Sequence, residues 1–177
     1  MKILVLIGSP RKGGNTDIIV TQILEGAMTQ GHVSETLYLY DYEILPCIDC
    51  RNCKKGKLVC TLKDDMANIY PKLEGADLII FGTPIYWYGP TAKMKLLIDR
   101  LRPYIANEKL NHKKALIVVP SEEGPSACKP LIEMFCMSFN YLGMKLVDKI
   151  LIKAYEKGEI TENIEELNKA KKFGSSL

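Results

Sequence analysis

A glycine-rich segment, GSPRKGGNT (residues 8–16), follows the first apolar run of the chain and precedes a helical pattern. A strand, a glycine-rich turn and a helix N-terminus place several free backbone N–H groups around one point, which suits a phosphate dianion. Ser9, Asn15 and Thr16 can add side-chain donors, and Arg11 can add a planar charged fork. The segment therefore predicts a phosphate loop, and we use that name for residues 8–16.

The order of residues in the phosphate loop disfavours two other phosphate-binding motifs. The Walker pattern needs Lys-Ser/Thr after its second glycine, but Gly13 is followed by Gly-Asn. The dinucleotide fingerprint G-x-G-x-x-G is also missing, because Gly8 is followed by Ser-Pro. A nucleoside triphosphatase and a Rossmann dinucleotide enzyme are therefore disfavoured, and a glycine-rich connection without a ligand is the remaining alternative.

An aromatic run, GTPIYWYGP (residues 82–90), follows the third β-branched apolar run. Turn residues flank it, and three consecutive aromatic side chains cannot all be buried. If the first and third strands flank the switch point of a parallel sheet, this segment and the phosphate loop rise at the same crevice. A phosphate loop beside flat apolar surface and backbone amides describes a site for flavin mononucleotide (FMN). Core packing or an interface patch is the alternative for Tyr86, Trp87 and Tyr88.

Four of the six cysteines are concentrated in one short segment, at Cys47, Cys50, Cys53 and Cys60. The compact C-x2-C-x2-C run lets one loop wrap three corners of an iron-sulfur cubane, with a fourth thiolate supplied nearby. Four thiolates can equally hold tetrahedral zinc, and the thiols can also remain free. The segment therefore predicts a 4Fe-4S cluster, a zinc site or a group of free thiols.

At these residues the sequence resembles the NADPH-dependent FMN reductase group of flavodoxin-like proteins. The resemblance rests on GSPRKGGNT, on GTPIYWYGPTAKMKLLIDR and on their spacing, and it spans about residues 1–150. The phosphate ligands that it implies are Ser9, Arg11, Asn15 and Thr16. The flavin-ring contacts that it implies are Pro84, Ile85, Tyr86 and Trp87, with Ser121 after the fourth strand completing the pocket.

The cysteine segment resembles the iron-sulfur flavoproteins, a branch of the same family that carries a 4Fe-4S cluster beside FMN. Cys47, Cys50, Cys53 and Cys60 match that motif one for one. Flavin-only relatives can retain a similar cysteine-rich loop, so free thiols stay open as an alternative. Many relatives assemble with the flavin near an interface, which implies a homodimer or homotetramer here.

Five β-branched apolar runs alternate with helical patterns and predict the elements that position these loops. The runs are Lys2–Ile7, Val33–Leu39, Asp77–Phe81, Ala115–Val119 and Lys145–Ile152. This rhythm predicts an α/β fold, a flavodoxin-like doubly wound three-layer sandwich with a five-stranded parallel sheet in the order 2-1-3-4-5. The first, third and fourth runs are almost continuously apolar and predict central strands, whereas the alternation in the second predicts an edge strand.

The helical patterns differ in strength along the chain. The segment Thr91–Ile105 has an apolar stripe at helical spacing, while its charged residues, Lys93, Lys95, Arg100 and Arg102, mostly face elsewhere. A first helix is expected from about Thr16 to Thr29, ending near Gly31. The chain is charged and poor in apolar anchors from Glu156 onward. We therefore expect an FMN-binding domain over residues 1–155 and a charged C-terminal tail over residues 156–177. The composition of the tail predicts either a peripheral helix or partial disorder.

Composition limits the class of protein and its partners. A length of 177 residues with 47% hydrophobic residues suits one domain, and a net charge of +3 from 24 basic and 21 acidic residues indicates no nucleic-acid partner. The first residues lack a signal-peptide pattern, and no apolar run reaches the length of a membrane span. We therefore expect a cytoplasmic protein without a membrane partner, in a reducing compartment where cysteines are thiols or ligands rather than disulfides.

The chemistry is expected to belong to the cofactor. His32 and His112 have no assigned catalytic partner, so no Ser-His-Asp or Cys-His set can be assembled. The sequence predicts an FMN-dependent oxidoreductase, either an NAD(P)H-dependent flavin or quinone reductase or an iron-sulfur flavoprotein. The family resemblance implies NAD(P)H as the electron donor, with a small molecule or a protein as the acceptor. The alternatives are an electron carrier or redox-responsive module without small-molecule turnover, and a zinc-stabilised interaction domain.

Overall fold

The structure, a computed structural model, describes residues 1–177. Its strands are β1 (Lys2–Ile7), β2 (Val33–Tyr38), β3 (Leu78–Gly82), β4 (Ile85–Tyr86), β5 (Gly89–Pro90), β6 (Lys114–Ser121) and β7 (Lys145–Lys153). Its α-helices are α1 (Asn15–Met28), α2 (Met66–Gly75), α3 (Ala92–Asp99), α4 (Pro103–Asn107), α5 (Lys129–Tyr141) and α6 (Ile164–Ser175). None of these helices combines the length and the apolar character needed to span a membrane.

Five strands form one parallel sheet in the order β2-β1-β3-β6-β7. The other two, β4 and β5, form a separate two-residue antiparallel hairpin, so β6 and β7 are the fourth and fifth strands of the main sheet. The predicted α/β fold and its strand order 2-1-3-4-5, the order of flavodoxin, are therefore confirmed. The central strands β1, β3 and β6 are buried almost throughout, because helices cover both faces of the sheet.

Each face of the sheet has its own apolar core. Side chains alternate along a strand, so Ile3, Val5 and Ile7 of β1 join the core under α1 and α6, while Leu4 and Leu6 join the core under α2, α3 and α5. The second core is the larger and contains a cluster of three phenylalanine rings. These two layers fix the positions of the loops that leave the carboxyl ends of the strands.

The prediction of one continuous helix over Thr91–Ile105 is wrong, because the segment forms α3 and α4. The proline that begins α4 has no backbone N–H and disfavours helical geometry in the residue before it. Arg100 ends α3 with its amide shared between the carbonyl oxygens of Leu96 and Leu97. The side chain of Arg100 turns into the protein and is almost fully buried, whereas the sequence pattern groups it with the outward charges.

Of the two alternatives for the C-terminal tail, the structure shows the helix. Residues 159–162 form a 3-10 turn, and α6 begins after Asn163, whose side chain caps the helix by accepting the amide of Glu166 at 3.2 Å. The helix packs on α1 through buried Ala170 and Gly174. Although the tail is poor in large apolar residues, small residues let its backbone come close to α1.

The crossing of α1 and α6 depends on glycine. A Cβ atom at Gly26 of α1 would lie 2.0 Å from the carbonyl oxygen of Lys171, and one at Gly174 of α6 would lie 1.9 Å from that of Ile23. Both distances are far below a van der Waals contact, and the obstructing atoms are rigid helix backbone. Any larger residue at either position must push the two helices apart.

We predict that Gly174→Ala lowers the free energy of unfolding by about 1–3 kcal/mol, the usual range for overpacking. Gly75→Ala is the matched control, since Gly75 is also a helical glycine but has open space where its Cβ would lie. Urea denaturation followed by circular dichroism gives both values. If Gly174→Ala is as stable as Gly75→Ala, the close crossing of α1 and α6 does not exist in solution.

Candidate functional site

An open cleft of about 150 Å³ lies at the carboxyl ends of β1, β3 and β6. Four chain segments line it: the phosphate loop, the β4–β5 hairpin, the loop after β6 and the segment after β7. The lining residues are Ser9, Arg11, Gly14, Asn15, Thr16, Pro84, Ile85, Tyr86, Pro120, Ser121, Glu122, Ala154, Tyr155 and Lys157. This place is the switch point of the sheet, where doubly wound proteins bind ligands.

Eight of the nine cofactor residues predicted from the sequence line this cleft: Ser9, Arg11, Asn15, Thr16, Pro84, Ile85, Tyr86 and Ser121. The ninth, Trp87, is 96% exposed at the tip of the hairpin and lines a neighbouring depression with Tyr88 and Glu123. Contact between Trp87 and a flavin ring therefore stays a prediction. Sequence reasoning missed Tyr155 and Lys157, although the fifth strand of a parallel sheet must also end at this edge.

The phosphate loop presents free donors to the cleft. Three consecutive backbone amides in the first turn of α1 have no acceptor within the protein: those of Asn15, Thr16 and Asp17. Three hydrogen bonds shape the turn before them. Ser9 Oγ accepts the amide of Arg11 at 3.2 Å, the amide of Gly14 donates to the carbonyl oxygen of Arg11 at 3.0 Å, and the amide of Gly13 donates to Asp17 Oδ2 at 2.8 Å. Converging N–H groups at a helix N-terminus can bind a phosphate dianion.

Asn15 makes contacts that its predicted role does not include. Its Nδ2 donates to the carbonyl oxygen of Glu156 at 2.8 Å, and its Oδ1 accepts the amide of Ile160 at 3.2 Å. Both polar groups of the side chain thus hold the segment after β7 against the phosphate loop. A direct contact between this side chain and a phosphate stays a prediction, and the structure shows a positioning role.

The aromatic hairpin, residues 85–90, has an uncommon backbone at its tip. Trp87 and Tyr88 have φ angles of 51° and 62°, as both central residues of a type I′ turn must. Non-glycine residues in this region cost about 1–3 kcal/mol each and persist only where the surrounding structure holds them. The hairpin therefore keeps two aromatic side chains exposed at an energetic cost, next to the cleft.

A pair of buried threonines fixes the hairpin relative to the phosphate loop. Thr83 Oγ1 accepts the amide of Thr91 at 3.2 Å, and Thr91 Oγ1 donates to the carbonyl oxygen of Gly8 at 2.5 Å. Thr91 also caps α3 by accepting the amide of Met94. The two walls of the cleft are thus joined beneath it by hydrogen bonds.

The loop after β6 forms a third wall. Ser121 Oγ donates to the carbonyl oxygen of Gly124 at 2.8 Å, and Gly124 has a φ angle of 78° that favours glycine. Cys128 Sγ lies 3.6 Å from Ser121 Oγ beneath this turn, and burial raises the pKa of that thiol despite the hydroxyl contact. Ser121 therefore shapes the wall.

The cysteine loop, residues 46–63, is closed at its base by a buried ion pair between Asp64 and Arg100, whose side chains are 0% and 1% exposed. Arg100 donates to both carboxylate oxygens of Asp64 and, through Nη1, to the carbonyl oxygen of Leu45 at 2.8 Å. The amide of Leu45 donates to Asp64 Oδ2 at 2.8 Å. The residues immediately before and after the loop are thereby held together.

The electrostatics of this pair keep both groups charged. Burial alone would raise the pKa of Asp64, but hydrogen bonds from Arg100 and from the amides of Leu45 and Met66 hold it below its ordinary value. Burial likewise would lower the pKa of Arg100, and the contact with Asp64 outweighs it and raises that pKa. Removing one partner would leave an unpaired buried charge, which costs about 3–5 kcal/mol.

All four predicted cysteine ligands line one narrow cavity of about 20 Å³, together with Arg100 and Arg102. Arg100 Nη2 donates to Cys60 Sγ at 3.4 Å, and its buried Nε has no hydrogen-bond partner. A wall of thiols beside a fixed guanidinium suits an anionic sulfur group. However, no three Cys, His, Asp or Glu side chains of the chain converge as metal ligands, and all six cysteines are free thiols. The metal site therefore stays a prediction.

The backbone of the cysteine loop is strained. Asp49, Arg51 and Leu58 have φ angles of 50°, 62° and 54°, which side chains other than glycine rarely adopt. Burial raises the pKa of the Cys53 thiol, and the neighbouring Cys60 adds to the effect, whereas Cys50 is exposed. The loop thus holds its thiols in different environments on an uncommon backbone conformation.

Comparison with known proteins assigns the chain to a family. The model of the NADPH-dependent FMN reductase family matches residues 1–155. The chain is 29% identical over 181 residues to YwqN of Bacillus subtilis, a proposed NAD(P)H-dependent FMN-containing oxidoreductase, covering 98% of this chain and 96% of that one. It is 40% identical over 114 residues to an iron-sulfur flavoprotein of Methanocaldococcus jannaschii, covering 64% of this chain and 58% of the relative. The chain therefore spans less than two thirds of that relative's length.

The comparison with solved structures agrees on the fold. The structure of the Trp repressor binding protein from Bacillus subtilis superposes with a TM-score of 0.72 at 24% identity, covering 98% of both chains. The family match extends over the phosphate loop, the aromatic hairpin and the loop after β6. The chain therefore belongs to the NADPH-dependent FMN reductase family.

Proposed function

We propose that the cleft binds FMN and that the protein is an FMN-dependent NAD(P)H oxidoreductase of the flavin or quinone reductase type. The observation that carries this proposal is the row of three free amides at the start of α1, facing a cleft whose other wall is the aromatic hairpin. Family membership supports FMN as the cofactor, and the name of the Bacillus subtilis relative supports NAD(P)H as the donor. Bound FMN would supply the hydride and electron transfer.

The chain itself would bind and orient the flavin. Ser9, Arg11 and Thr16 lie beside the free amides and would hold the phosphate, while Pro84, Ile85 and Tyr86 would lie along the ring. The hairpin and the phosphate loop are joined through Thr83 and Thr91, so both ends of the flavin would be held at a fixed separation.

Turnover of a small molecule is supported by the depression beside the cleft, which has a volume of about 280 Å³ and shares Ile85, Ser121 and Glu122 with the cleft. A second planar molecule could lie there next to the ring.

Anaerobic addition of NADH or NADPH to FMN-loaded protein should bleach the flavin absorbance. If neither nucleotide bleaches it while a reduced protein carrier does, the protein is an electron carrier or redox-responsive module instead.

We predict that Arg11→Met weakens FMN binding by roughly 1–2 kcal/mol, since it removes a charge-assisted contact to phosphate from a solvent-exposed position. Riboflavin, which lacks the phosphate, should bind the variant as it binds the wild type. Lys12→Met is the control, because Lys12 has the same charge but pairs with Asp41 and does not line the cleft. Equal losses for FMN and riboflavin in fluorescence titrations would show that Arg11 does not bind the phosphate.

We propose that the cysteine loop holds a 4Fe-4S cluster through Cys47, Cys50, Cys53 and Cys60. The shared cavity, the adjacent guanidinium of Arg100 and the similarity to an iron-sulfur flavoprotein support this assignment. The strained loop backbone would relax as the four thiolates converge. A bound cluster would supply single-electron transfer.

Cys50→Ser should lower the iron and acid-labile sulfide of anaerobically reconstituted protein, because serine is a harder and less readily ionised ligand. FMN occupancy should stay unchanged, since other segments form the cleft. Cys136→Ser, on α5 outside the loop, is the control and should retain both iron and sulfide. Wild-type protein that binds FMN but neither iron nor sulfide would contradict the cluster, and stoichiometric zinc would make the loop a structural zinc site.

We propose that the chain assembles as a homodimer or homotetramer through the aromatic hairpin. Trp87 and Tyr88 are 96% and 57% exposed on a backbone held at positive φ, which favours a surface that another copy covers. The double variant Trp87→Asn with Tyr88→Gly has the preferred type I′ turn residues and should be monomeric in sedimentation velocity experiments. A monomeric wild type, or a variant that still assembles, would contradict this interface.

A further inference from the structure

The segment after β7, residues 154–160, forms the fourth wall of the cleft, and we call it the closing segment. Ala154, Tyr155 and Lys157 line the cleft beside the phosphate loop. The family match ends at residue 155, so Lys157 lies beyond the part of the chain that the family defines. Family membership therefore assigns no role to this residue.

The closing segment is held against the phosphate loop by the side chain of Asn15. The amide group of Asn15 donates to the carbonyl oxygen of Glu156 and accepts the amide of Ile160, so it bonds the segment on both sides of Lys157. Asn15 is itself the first residue of α1, next to the free amides. The position of Lys157 is thus set by the same helix N-terminus that presents the phosphate donors.

A second contact shapes the closing segment from within. The carboxylate of Glu159 accepts the amides of Tyr155 at 2.7 Å and Glu156 at 2.8 Å, and these bonds lower its pKa. Gly158 supplies the turn with a φ angle of 83°. Ile160 is buried in the core under α1, and α6 follows it. The segment is therefore anchored at β7, at Asn15 and at α6.

The charges around the cleft identify what Lys157 would bind. Among the lining residues only Arg11 and Lys157 are basic, and Glu122 in the loop after β6 is the only acidic one. A phosphate monoester carries a charge of about −1.5 to −2 at neutral pH, so one arginine and three neutral amides leave part of it uncompensated. A lysine held near the phosphate loop supplies a second positive charge.

We propose that the closing segment completes the phosphate site and that Lys157 is a specificity-determining residue that favours a phosphorylated flavin over its dephosphorylated form. The proposal rests on the proposed function, FMN binding in the cleft. Lys157 and Arg11 come from opposite ends of the chain, and Asn15 brings them to one ligand. Binding of the phosphate then also stabilises the docking of the C-terminal tail, because the ligand bridges both segments.

The test compares FMN with riboflavin in Lys157→Met and in Lys172→Met. Lys172 is an exposed lysine of α6 without an ion pair, so its variant has the same charge change in the same tail. Lys157→Met should weaken FMN binding about tenfold, leave riboflavin binding unchanged and reduce the salt dependence of FMN binding. Lys172→Met should leave all three unchanged. An equal effect of Lys157→Met on both flavins, or none on FMN, would overturn the role of Lys157.

A double-mutant cycle with Asn15→Ala tests the positioning. Without the side chain of Asn15, the closing segment is released from the phosphate loop. In the Asn15→Ala background, Lys157→Met should therefore weaken FMN binding less than twofold, instead of about tenfold. If the two substitutions instead weaken FMN binding by factors that simply multiply in the double variant, Asn15 does not position Lys157. A wild-type protein that binds neither flavin would overturn the proposed function itself, and this result is distinct from selective failure of the Lys157 variant.

Discussion

Gly82 ends β3 directly against the first turn of α1, where a Cβ atom would lie 2.9 Å from Thr16 Cγ2. This close approach is the constraint on which the cleft depends, because it brings the free amides of α1 to the end of the strand from which the aromatic hairpin leaves. Gly8 at the end of β1 has a similar role, since a Cβ there would lie 2.8 Å from that of Met94 in α3. Two strand ends without side chains thus let two helices converge on one point. The cleft and its row of free amides follow from this packing.

Helix α3 connects the two candidate centres of the protein. Thr91 at its N-terminus is bonded to the phosphate loop, and Arg100 at its C-terminus is bonded to the base of the cysteine loop. With a rise of about 1.5 Å per residue, these two residues lie roughly 14 Å apart along the helix axis. The apolar side of α3 packs into the larger core, so the helix is a rigid connection. The cleft and the cysteine cavity are therefore fixed relative to one another even though different loops form them.

Local sequence patterns predicted those parts of the structure that local forces determine. The apolar runs of the strands, the glycines of the phosphate loop and the rule that three consecutive aromatic residues cannot all be buried all follow from neighbouring residues. The parts that could not be predicted depend on distant partners: Arg100 pairs with Asp64, 36 residues away, and Asn15 bonds to Ile160, 145 residues away. A charged residue on a helical segment, such as Arg100, indicates a solvent-exposed face unless a buried partner of opposite charge is known. The cysteine spacing likewise predicted a cluster, a zinc site or free thiols, but spacing alone cannot show whether the four Sγ atoms converge, and in the structure they do not form a metal-ligand group.

Helix α1 contributes to the cleft at its N-terminus and packs against the C-terminal tail further along. The tail is therefore linked to the cleft through α1. The N-terminal amides of α1 face the cleft, while Gly26 further along α1 packs closely against the backbone of α6. The closing segment runs from the cleft to α6 and is bonded to Asn15 on its way. Release of α6 from α1 would be a local opening that leaves the central sheet intact. Such an opening would withdraw Lys157 from the cleft while the phosphate loop stays formed. A ligand that contacts both the phosphate loop and the closing segment opposes this opening by the free energy of its contact with Lys157. Retention of the ligand and docking of α6 therefore stabilise each other.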